Sequence, residues 1–226
     1  MTGKIVRDVP RPPDDVVEAF QSFSAADVHE AMGKTGAMAP RIERRSGSGV
    51  VCGPATTAKL PTGDNMMIHV GANVAAPGDV LIIEAGTTQA ATWGELATQN
   101  AMRKGLAGVV SGGNTRDTAA IDELGFSVFS RAVSQIGAVK ETAGSVNVPV
   151  SVGDVIVNPG DIVVGDDDGV TAVPRERAEE VRDLTAEHVR KEDDIRDCIE
   201  AGEALFDIGG FDEMLAEHDV TEVEYE

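Results

Sequence analysis

The chain has 226 residues, 42% of them hydrophobic, and a formal net charge of −20 from 39 acidic against 19 basic side chains. A globule of this length hides roughly 70% of its unfolded surface, enough for a real core. The acidic balance argues against nucleic acid and anionic membrane as partners, since both need a basic footprint, and no apolar run approaches the roughly 20 residues of a membrane span.

The start, MTGKIVRDVPRPPDD, has no apolar h-region, so no secretory signal is read. Cys52 and Cys198 make neither a disulfide framework nor a zinc site, and the cytoplasm is the expected compartment. The acidity has two readings. One is a solvated surface suited to high salt, implying a halophilic source; the other is a docking face for a basic partner.

Residues 1–20 read as an arm leading into a helix, and 14–33 hold two short helices. Ser24 with Asp27 three places on is a variant of the capping box. Residues 49–60, GVVCGPATTAKL, are β-branched and glycine-bounded, hence a strand. A helix follows over 63–75, then a turn and buried strand over 77–86. A helix over 92–105 is stopped by Gly105. LAGVVSGG, 106–113, is another buried strand, NTRDTAAIDELG a helix ended by Gly125, and FSVFSRA a strand. Strands alternating with helices in this way argue for parallel βαβ units.

After residue 144 the pattern becomes short β runs divided by Gly, Pro and Asp, which is antiparallel hairpin chemistry. Pro174 opens a long helix reaching Gly202. Residues 203–226 are acidic and read as an arm. Along the long helix, positions 178, 181, 185, 188, 192, 195 and 199 share one face. Glu192 lies among apolar residues there. It is either a side chain snorkelling at the seam's edge, or a misread register, or a carboxylate aimed into a site on a neighbouring subunit.

Two junctions could carry chemistry. A helix opening at TWGELAT leaves the N–H groups of Glu95, Leu96 and Ala97 without intrahelical partners, an anion site that Gly94 would let a ligand approach. At VVSGGNTRD, Arg116 and Asp117 follow a buried strand. Ligands of parallel α/β sheets sit beyond such carboxyl ends, and neighbouring strands would bring the two loops together. An acid kept ionised by an arginine can hold a hard divalent cation. The alternative is an Asp favouring its own helix dipole and an Arg with a surface role.

Other residues read as structural. His29, His69, His188 and His218 have no ligand spacing. Asp166–Asp168 lack EF-hand spacing and read as a turn. Ser111 is not in a G-x-S-x-G setting, and Cys52 reads as a small core residue.

The order of GPATTAKL…DN, PGDVLIIEAG…WGELAT…AMRKGLAGVVSGGNTRD, LGFSVFSR and VNPGDIVVGDDDGVTAVP closely resembles the RraA-like family, over residues of about 20 to 202. That family includes 4-hydroxy-4-methyl-2-oxoglutarate aldolases with oxaloacetate decarboxylase activity, and regulators of ribonuclease E. The resemblance implies a single RraA-like domain over 1–226, with an α/β swivelling β/β/α fold assembled as a homotrimer or hexamer with sites between subunits. It also implies a class II aldolase using Mg²⁺ or Mn²⁺ on a small 2-oxo acid. Asp117 then looks like the metal ligand and Arg116 like the substrate clamp. Glu95 looks like an acid holding water, Leu96 and Ala97 like backbone donors to the substrate carboxylate, and Glu192 like an acid supplied to a neighbour. Many relatives have an acid where this chain has Ser111, and others have aspartate at position 95. The rival reading is a non-enzymatic regulator binding a ribonuclease or helicase surface. A phosphohistidine carrier finds no histidine after a glycine-rich loop, and a methyltransferase finds no cofactor glycine motif.

Overall fold

The computed structural model describes residues 3–218, 220, 221 and 223. The chain divides into two compact units, Met1–Thr185 and Ala186–Glu226.

In the first unit an extended N-terminal segment leads to α1 (Asp14–Ala19) and α2 (Ala25–Ala31). Ser24 caps α2 through a reciprocal bond with Asp27, as its spacing predicts. There follow β1 (Glu43–Ser46), β2 (Val51–Lys59), α3 (Met66–Val74), β3 (Val80–Glu84), β4 (Ala91–Trp93) and α4 (Glu95–Lys104). After these come β5 (Gly108–Thr115), α5 (Thr118–Glu123), β6 (Val128–Val133) and β7 (Ser145–Val146). The last strands are β8 (Val150–Val152), β9 (Val155–Val157), β10 (Ile162–Gly165) and β11 (Val170–Val173), and the unit ends within α6 (Ala178–Glu200), at Thr185.

One sheet runs β1-β6-β5-β3-β2-β10-β11, with β4 beside β5 and β7 beside β2; β8 and β9 form a separate hairpin. The βαβ reading holds for β2, β3, β5 and β6, which are parallel. The antiparallel reading of the C-terminal half holds for β10 with β2 and β11, and for β8 with β9. The result is the mixed α/β architecture expected from the sequence.

The run VLII of β3 is apolar throughout because both faces of the sheet are covered. Leu81 and Ile83 join a core with Trp93, Ala97, Ala101 and Ile121. Val80 and Ile82 point the other way, into a core with Val110, Phe129 and Val152. This is the two-residue period of a strand read on both sides. Gly105 ends α4 in the left-handed conformation at φ 78°.

Two boundaries differ from the sequence reading. Trp93 belongs to a short strand, β4, rather than to the helix after it, and β5 continues to Thr115 where a helix was expected. Both follow from one pairing: Ala91 aligns with Asn114 and Trp93 with Thr115, so each segment is held extended by the other.

In α6 the expected seam is buried at Ala178, Val181 and Thr185. Ile195 and Ile199 on the same stripe are exposed. The second unit holds the rest of α6 together with α7 (Leu205–Ile208) and α8 (Phe211–Glu217), where an arm was expected; Phe206 and Phe211 pack at 5.8 Å between centroids. The final VTEVEYE lies partly outside the described residues. No helix among the described residues is long and apolar enough to cross a membrane.

Candidate active site

The pairing of β4 with β5 sets the carboxyl ends of both strands side by side, so that their two following junctions meet. The Arg116 N–H donates to the Trp93 carbonyl at 3.1 Å, and the Glu95 N–H donates to Asp117 Oδ2 at 3.2 Å. Arg116 Nε lies 3.4 Å from the same oxygen. These groups line a cleft of about 410 Å³ together with Gly94, Leu96 and Ala97. Six of the seven residues that the sequence singled out are therefore gathered in one place.

Gly94 makes the approach possible. A Cβ there would stand 2.7 Å from Asp117 Oδ2, closer than such carbons are found, and a tight 3.1 Å from Arg116 Cγ. Beneath it Trp93 is 2% exposed, and its indole N–H donates to Thr98 Oγ1 at 2.8 Å, which fixes the floor of the cleft.

Helix α4 presents its positive end to this space. The first intrahelical bond is Thr98 N–H to the Gly94 carbonyl. Among the described residues the N–H groups of Leu96 and Ala97 donate to nothing, as the first turn of a helix requires. Leu96 carries its side chain out to solvent, at 79% exposure.

Asp117 occupies the N-cap position of α5 at φ 58°, a left-handed conformation, and makes no cap bond there. Its Oδ1 accepts no hydrogen bond among the described residues. Glu95 accepts from Gln99 through Oε1 at 2.9 Å, leaving Oε2 in the same condition. These are hard oxygen donors of the kind that Mg²⁺ or Mn²⁺ takes in ones and twos.

Glu192 is the seventh residue. It lies in the second unit, where it takes Arg196 at 2.6 Å and His188 at 3.3 Å.

Asn65, His69 and Lys140 also line the cleft; the sequence marked neither Asn65 nor Lys140 and read His69 as structural. Asn65 and His69 stand four apart at the start of α3, so they share a face; that spacing was the available signal. Burial, with Lys140 nearby, pushes the His69 imidazole below its ordinary pKa. Nothing in the local pattern marks Lys140, which lies in a segment without strand or helix.

Asp166, Ser111 and Cys52, read as structural, behave so. Asp166 accepts from Ala25 N–H at 2.7 Å and from Asp168 N–H at 3.0 Å, closing a turn and holding the start of α2. Ser111 accepts from Gly113 N–H inside the sheet. Burial pushes the Cys52 thiol up to about 12, which keeps it unreactive.

Residues 25–172 match the RraA-like family, described as Aldolase/RraA. Over 168 residues the chain is 32% identical to a protein of Halalkalibacterium halodurans named "Putative 4-hydroxy-4-methyl-2-oxoglutarate aldolase", covering 74% of this chain and 80% of that one. The fold superposes on Streptomyces coelicolor RraAS2, described as an unusual member of the RNase ES inhibitor RraA protein family. There the TM-score is 0.74 at 28% identity, with 84% of this chain and 99% of that one covered. A Pseudomonas syringae protein of uncharacterized function shares the fold with a TM-score of 0.76 at 22% identity, over 87% and 98% of the two chains. A family match over 25–172, well over half of the chain and spanning both junctions of the cleft, shows that this protein belongs to the RraA-like family.

Proposed function

We propose that this protein is a divalent-metal-dependent pyruvate aldolase of the class II kind. It would cleave 4-hydroxy-2-oxo acids of the 4-hydroxy-4-methyl-2-oxoglutarate type and decarboxylate oxaloacetate. The observation that supports this best is the meeting of Arg116, Asp117 and the open first turn of α4 in one cleft.

Asp117, with Glu95 beside it, is the group that would hold Mg²⁺ or Mn²⁺. Once bound, such an ion supplies Lewis-acid stabilisation of charge on the 2-oxo group. The protein's own groups do the remaining work. The N–H groups of Leu96 and Ala97 receive the substrate's C1 carboxylate at the positive end of the helix. The Arg116 guanidinium stands beside the C2 oxygen and stabilises the negative charge that grows there. In the aldol cleavage the C4 hydroxyl loses its proton and the C3–C4 bond breaks. Its electron pair passes into the pyruvate enolate, which is then protonated at C3. Glu95, or Glu192 of a neighbouring copy, would take the hydroxyl proton, directly or through water. Decarboxylation reaches the same enolate and needs no such base. Glu192 would serve the site of a neighbouring copy in a homotrimer or hexamer.

A second reading is a non-enzymatic regulator that binds a ribonuclease or helicase surface; the likeness to the Streptomyces inhibitor family favours it. Pyruvate release from 4-hydroxy-2-oxo acids and oxaloacetate, followed with lactate dehydrogenase, separates the two. The aldolase reading expects release that EDTA abolishes and Mg²⁺ restores. No release from any 2-oxo acid with either metal would leave the regulator.

A further inference from the structure

Lys140, the second cation of the cleft, lies on a segment that has only borrowed support. Residues 134–142 leave β6 and run along one wall, tied by main-chain bonds at intervals. Ser134 N–H donates to Thr115, Ala91 N–H to Ile136, Val139 N–H to Gly63, and Asn65 N–H to Val139, all between 2.7 and 3.0 Å. The segment passes close to the catalytic arginine: a Cβ added at Gly137 would lie 3.4 Å from Arg116 Nη1.

The far end is held by one side chain. Asp64 is 2% exposed. Its Oδ2 accepts from Glu141 N–H at 2.6 Å and Thr142 N–H at 2.7 Å, and its Oδ1 from Met66 N–H at 2.7 Å in the first turn of α3. Burial alone would raise its pKa. The three N–H donors and Lys140 outweigh that and keep the carboxyl below its ordinary value, so it is an anion. Asp64 thus fastens the segment bearing Lys140 to the helix bearing His69. Lys140 has no carboxylate within ion-pair distance among the described residues, in a chain with 39 acids against 19 bases. An exposed cation without an ion pair among the described residues, lining the same cleft as Arg116 and the start of α4, is placed for an anion from outside.

We propose that Asp64 is a positioning residue, fixing Lys140 at the cleft so that its ammonium takes the second carboxylate of a dicarboxylic 4-hydroxy-2-oxo acid. This rests on the aldolase reading. An amide at position 64 keeps the shape but turns an N–H toward main-chain N–H donors, so at least one tie is lost.

The test compares 4-hydroxy-2-oxoglutarate with 4-hydroxy-2-oxopentanoate, which lacks the second carboxylate. Lys140→Met is expected to raise KM roughly tenfold for the former, with kcat and the latter's KM unchanged, the pattern of lost ground-state binding. Asp64→Asn should move KM the same way, and the double variant should be no worse than Lys140→Met. Effects that multiply in the double variant, or a folded Asp64→Asn with the wild-type KM ratio, would overturn the proposal. Should Asp64→Asn not fold, hydrogen exchange in the wild type decides: Glu141 and Thr142 amides that exchange freely would refute the lock. A wild type that turns over both acids without preference defeats this inference alone. One that turns over no 2-oxo acid defeats the aldolase reading, and this inference with it.

Discussion

Asp117 begins helix α5 but serves helix α4: its Oδ2 accepts the N–H of Glu95 at 3.2 Å, and it makes no cap bond on its own helix. A non-glycine residue at φ 58° stores strain, of order 1–3 kcal/mol where the conformation is imposed by its surroundings. Asp tolerates this region better than most residues. The strain turns the carboxylate away from the nearer helix and into the cleft.

Asp117→Gly separates strain from function. Glycine relieves the left-handed backbone while removing the carboxylate. The variant is expected to melt no lower than the parent, by calorimetry, and to lose Mg²⁺-dependent pyruvate release by at least about 10²-fold, the scale for a key electrostatic group. Retained metal-dependent turnover would remove Asp117 as the ligand.

Arg116→Ala should lower turnover on the order of 10²-fold, as loss of a fixed oxyanion donor does. The side chain is 48% exposed, and its one ion pair among the described residues is at 3.4 Å. Stability should therefore shift by no more than about 0.5 kcal/mol. Steady-state kinetics beside a denaturation curve checks both halves, and near-parental turnover contradicts the role.

Gly94→Ala tests the close approach of the two junctions. The added methyl carbon would stand 2.7 Å from Asp117 Oδ2, so the carboxylate or the start of α4 must move. Misplacement of about 1 Å costs roughly 10²-fold in comparable sites. Turnover should fall on that scale with the fold retained by circular dichroism; an unaffected rate would mean that the junctions can separate without consequence.

Much of this was legible in the chain. The β2, β3, β5 and β6 strands and the helices between them follow from apolar runs bounded by glycine, and Arg116, Asp117, Glu95 and the α4 N-terminus from their junction positions. What was not legible depends on pairing between distant segments. Strand β4 has three residues and exists because β5 lies beside it. Lys140 reaches the cleft because Asp64, 77 and 78 residues before its two partners Glu141 and Thr142, holds its segment there. No local periodicity encodes such a tie. The seam of α6 was read correctly through Thr185, but its continuation to Glu192 carried no local sign of where burial stops.

Asp64 and Asp161 should respond to pH with opposite signs. In Asp64, N–H donors and Lys140 outweigh burial, and the folded pKa lies below the ordinary 3.8. Its contribution is complete above the unfolded value and is lost as pH falls through the folded one. In Asp161 burial prevails over its hydrogen bonds and the pKa is raised, so its ionisation opposes folding as pH climbs through that range. The stability gap between parent and Asp64→Asn should therefore narrow below pH 3.8. For Asp161→Asn the contribution from ionisation should instead grow in the variant's favour as pH rises. Urea denaturation across the acid range measures both, and equal slopes for the two variants would deny the difference in environment.

The net charge of −20 sets a last expectation. Uncompensated surface acids repel one another in the folded state more than in an expanded chain, and salt screens that repulsion. At 1 M the screening length is about 3 Å, against about 30 Å at 0.01 M. Salt also weakens favourable pairs such as Lys191–Glu187 and Arg177–Glu180. Exposed pairs of this kind contribute only about 0–1 kcal/mol each, so with acids twice as numerous as bases the repulsive part dominates. The thermal midpoint should rise between 0.01 and 1 M KCl, a salt chosen because sulfate would strengthen apolar burial by itself. A midpoint that is level or falls over that range would show that the acidic surface is not balanced by counterions, and would leave a basic partner as the reason for it.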